Sequence, residues 1–68
     1  MEISARNQLR GHVTAITLGG VMAEVRVQVG QQEIVSVITR GSAEGLGIKV
    51  GDDVIVIVKA TEVMLGKP

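Results

Sequence analysis

The sequence has no cysteine, no phenylalanine, tyrosine or tryptophan, a single histidine (His12), and a single proline, Pro68, at its end. Without cysteine there is no disulfide, no thiolate metal site and no thiol redox chemistry. One histidine cannot build a multi-histidine metal cluster within a chain, so no metal-ion site is expected. Without aromatics the core must be aliphatic, and nucleic-acid bases would find no side chain to stack on. Net charge is missing too: seven basic and seven acidic residues cancel, which makes the chain a poor electrostatic partner for nucleic acid. The longest unbroken apolar run, Val54 to Val58, falls far short of the ~20 residues of a membrane-spanning helix. Glu2 follows Met1 and no apolar leader segment comes after it. The expectation is a cytoplasmic protein with no membrane and no nucleic-acid partner.

What is present is β-branched. Twelve valines and seven isoleucines stand among 68 residues, a composition that favours strands. A lone domain of this size buries only ~60% of its unfolded surface and usually adds disulfides, a metal or oligomerisation. With the first two excluded, oligomerisation is expected. No linker, repeat or low-complexity tract interrupts the chain, so residues 1–68 read as one domain.

Glycine punctuates the pattern. From Leu9 to Thr17, Leu9, Gly11, Val13, Ala15 and Thr17 share one face of a half-buried strand. After Gly19-Gly20, residues Val21, Ala23, Val25, Val27 and Val29 alternate with Met22, Glu24, Arg26 and Gln28, a clear period of two. Gly30-Gln31 turns the chain into a return strand over Glu33 to Thr39. Ser42 to Gly47 is the one helix candidate, with Ser42 as N-cap, Glu44 in the first turn and Gly47 as the stop. Val54 to Lys59 reads as a strand covered on both faces, and Glu62 to Leu65 as a last short strand. Five strands with a short helix between the third and fourth is the order of an OB-like Greek-key barrel; the surplus of Val and Ile predicts barrels packed on one another in an oligomer.

Catalytic chemistry finds little support. A serine–histidine pair would have to use Ser4, Ser36 or Ser42 with His12, and His12 sits in a strand, between Gly11 and Val13, with no accompanying motif. Asp52-Asp53 reads as solvated turn charge, and no nucleotide or zinc-protease motif occurs. The expectation is a protein that is not an enzyme and has no catalytic cofactor. The stretch Ser4-Ala-Arg-Asn-Gln8 reads either as a solvated polar edge or as a cradle for an anion, since its serine, arginine, asparagine and glutamine side chains all carry N–H or O–H donors. Lys59, after five apolar residues, would bury its stem and direct its ammonium to one place. Thr39-Arg-Gly-Ser42 would add hydroxyls and backbone N–H groups at a helix start.

Ser4-Ala-Arg-Asn-Gln-Leu9 followed by Gly11, then Val21-x-Ala23-Glu-Val25, Ile38-Thr-x-x-Ser42 with Leu46-Gly47, and Val58-Lys-Ala-Thr-x-Val-Met64 together resemble the molbindin family of small molybdate- and tungstate-binding proteins. The resemblance runs from about Ile3 to Leu65. It implies an OB-like barrel, assembly into a hexamer, and molybdate or tungstate bound between subunits for storage or buffering. Carried over by motif position, it implies that Ser4, Ala5, Arg6 and Asn7 line the site with Lys59 and Ala60, and that Thr39 and Ser42 contribute. Arg40 departs from the smaller or acidic residue the pattern implies and is not counted as a ligand residue. With Pro68 closing the sequence, the single-domain form is expected.

The chemistry fits this implication. A tetrahedral dianion presents only acceptor oxygens, and a site of N–H and O–H donors satisfies it. Hydrogen phosphate carries one O–H that would face donors and stay unpaired, at a cost of ~1–3 kcal/mol. Sulfate has no such proton and must be rejected by size. The competing reading is a small oligomeric OB-type module whose partner is protein or single-stranded nucleic acid.

Overall fold

The computed structural model describes all 68 residues. Four strands, β1 (Asn7–Leu18), β2 (Met22–Val29), β3 (Gln32–Thr39) and β4 (Asp53–Val58), form one antiparallel sheet in the order β3-β2-β1-β4. One helix, α1 (Arg40–Leu46), joins β3 to β4, and a 3-10 turn covers Ala60–Glu62.

The first expected strand is longer than the alternation suggested, and its faces are split by a bulge. β1 pairs with β4 from Asn7↔Val58 to His12↔Asp53, and with β2 from His12↔Gln28 to Leu18↔Ala23. Between Val13 and Ala15 the register shifts, leaving Thr14 as the extra residue, with Oγ1 donating to the Arg26 carbonyl. An extra residue flips the pleat. Ile16, expected on the outer face, therefore sits opposite Val25 and packs on the core.

Gly11 permits the changeover from β4 to β2. A Cβ there would lie 2.5 Å from the Gln28 carbonyl oxygen and 2.7 Å from a Val27 methyl, closer than any side chain tolerates.

β2 follows its period of two: Ala23, Val25 and Val27 are buried, and Met22, Glu24, Arg26 and Gln28 face outward. The two-residue Gly30-Gln31 turn closes the hairpin at Val29↔Gln32, with Gly30 at φ 58°. The helix starts earlier than expected. Thr39, not Ser42, is the N-cap; its Oγ1 accepts from the Ser42 N–H at 3.0 Å. Thr39 is already fixed by pairing with Met22, and the Arg40 N–H is held by the Val21 carbonyl, so the helix begins as soon as the strand ends. Glu44 then falls in the second turn, where it meets Arg40. Gly47 is the stop, as expected, at φ 64°.

Two expectations about β4 and the tail are corrected. β4 is covered on one face only: Val54 and Val56 pack on the core, whereas Ile55 and Ile57 are exposed. Glu62 to Leu65 is no fifth strand; Glu62 ends the 3-10 turn, and Val63, Met64 and Leu65 extend unpaired and exposed. The barrel is therefore open: β3 and β4 are the sheet's two edges, and an apolar cleft lined by Val25, Ile38, Ile48, Val54 and Val56 lies between them. The tail pairs with neither of these edges.

The core is small. Only five of 68 residues are buried: Val13, Ala23, Val25, Val27 and Ala43. The accessible surface is 5452 Å², against ~4,100 Å² from the mass scaling of compact monomers applied to 7.1 kDa.

Candidate functional site

β-Sheet pairing gathers one group of the expected site residues. Asn7 pairs with Val58. The segment entering β1 (Ser4, Ala5, Arg6) thereby runs beside the segment leaving β4 (Lys59, Ala60). Their sequence separation is large, and the β1–β4 ladder is what closes it.

Within this group the polar side chains of Ser4, Arg6, Asn7 and Lys59 make no hydrogen bond. Arg6 and Lys59 are exposed and neither takes part in an ion pair; the three pairs present join Arg26 to Glu24 and Glu33, and Arg40 to Glu44. Lys59 thus differs from the expectation that its stem is buried: it lies past the end of β4, where the apolar run no longer covers it. Ser4 is exposed, and Ala5 and Asn7 are half-buried. Gln8 turns back on the same segment, its Nε2 donating to the Ala5 carbonyl at 2.8 Å. Two unpaired cations, a hydroxyl and an amide form a surface that can only gain by meeting an acceptor-rich anion.

Thr39 and Ser42 lie elsewhere. Thr39 pairs with Met22, one rung beyond the Leu18↔Ala23 pair that ends the β1–β2 ladder. Asn7 begins β1 and Leu18 ends it, so the two groups belong to opposite ends of a 12-residue strand. Their hydroxyls are partly committed: Thr39 Oγ1 donates to Ser42 Oγ at 2.7 Å and accepts from the Ser42 N–H. The Ser42 hydroxyl proton is left to donate. The backbone N–H groups expected to serve an anion here are reduced likewise, since the cap takes that of Ser42 and Val21 takes that of Arg40.

Arg40 is tied into the fold. Its Nε meets Glu44 Oε1 at 2.8 Å and its Nη1 donates to the Gly19 carbonyl at 3.2 Å. These bonds fasten α1 to the β1–β2 turn and offset the added charge, which is why a bulky cation is accommodated at this position. His12 is an exposed strand residue opposite Asp53. No group of three or more His, Cys, Asp or Glu side chains is arranged to hold a metal ion, and no helix is long and apolar enough to cross a membrane.

A family model described as the TOBE domain matches residues 3–65. Molybdenum-pterin-binding protein 3 of Clostridium pasteurianum is 44% identical over 66 residues, spanning 96% of this chain and 97% of that protein. The molybdenum transport protein ModE of Azotobacter vinelandii is 47% identical over 66 residues, but the chain covers only 24% of its length. Among solved structures, a molybdate-binding protein from Sporomusa ovata superposes with a TM-score of 0.94 at 40% identity, covering 98% of this chain and all of that one. The cytoplasmic molybdate-binding protein ModG, solved with molybdate bound, gives a TM-score of 0.92 at 39% identity; the whole of this chain matches 49% of it.

Proposed function

The chain belongs to the TOBE domain family, and from that premise we propose that it is a cytoplasmic binding protein for the tetrahedral oxyanions molybdate and tungstate, one that stores or buffers them without catalysis. The observation that carries this reading is the pairing Asn7↔Val58, which sets the unpaired cations of Arg6 and Lys59 on adjoining segments. Ser4, Ala5, Arg6, Asn7, Lys59 and Ala60 form one half of the site. Thr39 and Ser42, at the far end of β1, form a second half that a neighbouring copy brings to the first.

Three features support assembly, with a hexamer as the form the family resemblance implies. The exposed surface exceeds that of a compact monomer by ~1,300 Å² on the mass scaling. The open seam between β3 and β4 is apolar, and Val63, Met64 and Leu65 extend unpaired beside it in sequence. A dianion held at such a junction offsets the repulsion between cations that assembly collects there. The reading takes the bare oxyanion as ligand in preference to a pterin conjugate, since the chain has no aromatic side chain to stack on a pterin ring.

Calorimetric titration with molybdate, tungstate, sulfate, phosphate and a pterin tests the reading. Saturable binding of molybdate and tungstate, with phosphate and pterin far weaker, is the expected result. Absence of molybdate binding, or preference for the pterin, overturns it.

A further inference from the structure

Gln8 lies on the outward side of β1, opposite Ile57, yet its amide does not serve the sheet. It reaches back three residues and donates to the Ala5 carbonyl oxygen at 2.8 Å. The Ala5–Arg6 peptide is trans, so its C=O and its N–H point in opposite directions. A carbonyl held toward Gln8 fixes the Arg6 N–H away from Gln8. That N–H precedes the β1 ladder and has no partner among the loop and cap hydrogen bonds.

An exposed peptide in an entry segment can rotate as a unit and present either its donor or its acceptor. The Gln8 bond selects the donor. Cross-strand competition for the Gln8 amide is absent, because its partner Ile57 has no polar side-chain atom.

We propose that Gln8 is a positioning and specificity-determining residue of the oxyanion site, acting through the Ala5–Arg6 peptide and not by touching the ligand. The inference rests on the molybdate-binding reading and deepens it. With the carbonyl clamped, this peptide offers its donor and not its acceptor to a dianion whose oxygens are all acceptors. With the clamp released, the peptide can turn its carbonyl to the ligand, which repels an unprotonated dianion but accepts the O–H of hydrogen phosphate. Gln8 therefore sets the preference for unprotonated over protonated oxyanions.

The test compares wild type with Gln8→Met, which keeps the side-chain length and removes the donor, and with Gln8→Lys, which restores an N–H donor of sufficient reach. Molybdate affinity is measured by titration and phosphate affinity by competition, well above the second pKa of inorganic phosphate so that both ligands are dianions. Melting temperature and oligomer size without ligand serve as controls.

The expected result for Gln8→Met is unchanged controls, a molybdate dissociation constant raised ~10-fold, and a phosphate constant that does not rise. The molybdate-over-phosphate ratio then falls by about that same factor and recovers in Gln8→Lys, where the added charge acts on both dianions alike. If Gln8→Met aggregates, Gln8→Ala, which also lacks the donor, replaces it: a molybdate-induced shift of the Arg6 amide resonance seen in wild type and Gln8→Lys but lost in Gln8→Ala supports the clamp, and one retained in Gln8→Ala opposes it. An unchanged ratio in a folded Gln8→Met, or a fall accompanied by a lower melting temperature without ligand, overturns the inference while wild-type binding stands. Failure of wild type to bind molybdate overturns the functional reading and this inference with it.

Discussion

Asn7 and Val58 face each other at the end of the β1–β4 ladder, and that one pairing places the guanidinium of Arg6 and the ammonium of Lys59 on adjoining segments. Neither cation has a carboxylate partner. Adjoining segments thus carry two like charges without an internal counter-ion, an arrangement that an external anion relieves.

Removal of one cation weakens the anion site and spares the fold. Arg6 is exposed and outside the strands, so Arg6→Ala loses little packing. It loses a charged donor worth ~1.5–3 kcal/mol, a rise in the molybdate dissociation constant of roughly 10- to 150-fold. Calorimetric titration of the variant checks this; wild-type affinity would place the anion elsewhere.

Lys59→Met separates binding from assembly. The residue is exposed past the end of β4, so the oligomer should persist, and the apo protein should melt no lower than wild type because a repelling charge is gone. The thermal shift that molybdate confers should shrink with the affinity. Melting curves of both proteins with and without molybdate decide the point. Equal ligand-induced shifts would remove Lys59 from the site.

Arg40 is a fastener and not a ligand group. Its ion pair with Glu44 is solvent-exposed and such pairs contribute ~0–1 kcal/mol. Arg40→Ala should lower the melting temperature slightly and leave the molybdate dissociation constant within about a factor of 2, a difference below ~0.5 kcal/mol. A large loss of affinity would return Arg40 to the site.

Gly11 is fixed by space. With the Gln28 carbonyl 2.5 Å from a would-be Cβ, Gly11→Ala must push β1 and β2 apart. The cost should reach ~3 kcal/mol, the upper end for overpacking, and with only five buried residues the chain has little to spare. Loss of the cooperative melting transition in Gly11→Ala is the expected reading; a wild-type transition would show that the strands accommodate the methyl group.

The sequence disclosed most where side chains alternate. The period of two in β2 marked Ala23, Val25 and Val27 as core, and the Gly30 turn and Gly47 stop stood where glycine chemistry requires them. It failed where backbone pairing decides. The Thr14 bulge that turns Ile16 inward has no signature in side-chain pattern. Nor has the choice of Thr39 over Ser42 as the cap, which depends on Thr39 being held by Met22. The apolar run of β4 suggested two covered faces, yet Ile55 and Ile57 lack a cover within one chain, and the tail from Val63 to Leu65 joins no strand. Of the candidate site, the donor-bearing Ser4, Arg6, Asn7 and Lys59 stood out in the sequence, Ala5 and Ala60 entered only through the resemblance, and the separation of Thr39 and Ser42 from them followed only from the register of β1.

The proposed molybdate site joins the Ser4–Asn7 and Lys59–Ala60 segments of one copy to the Thr39–Ser42 segment of another. The most direct measurement is molybdate binding to an equimolar mixture of Arg6→Ala and Ser42→Ala chains, unfolded and reassembled together. Each variant alone should bind weakly. Random assortment of copies in a symmetric assembly should restore about a quarter of the sites to wild-type affinity, because that share combines the intact half of each chain. Restoration of none, with wild type binding normally, would contradict a site shared between copies.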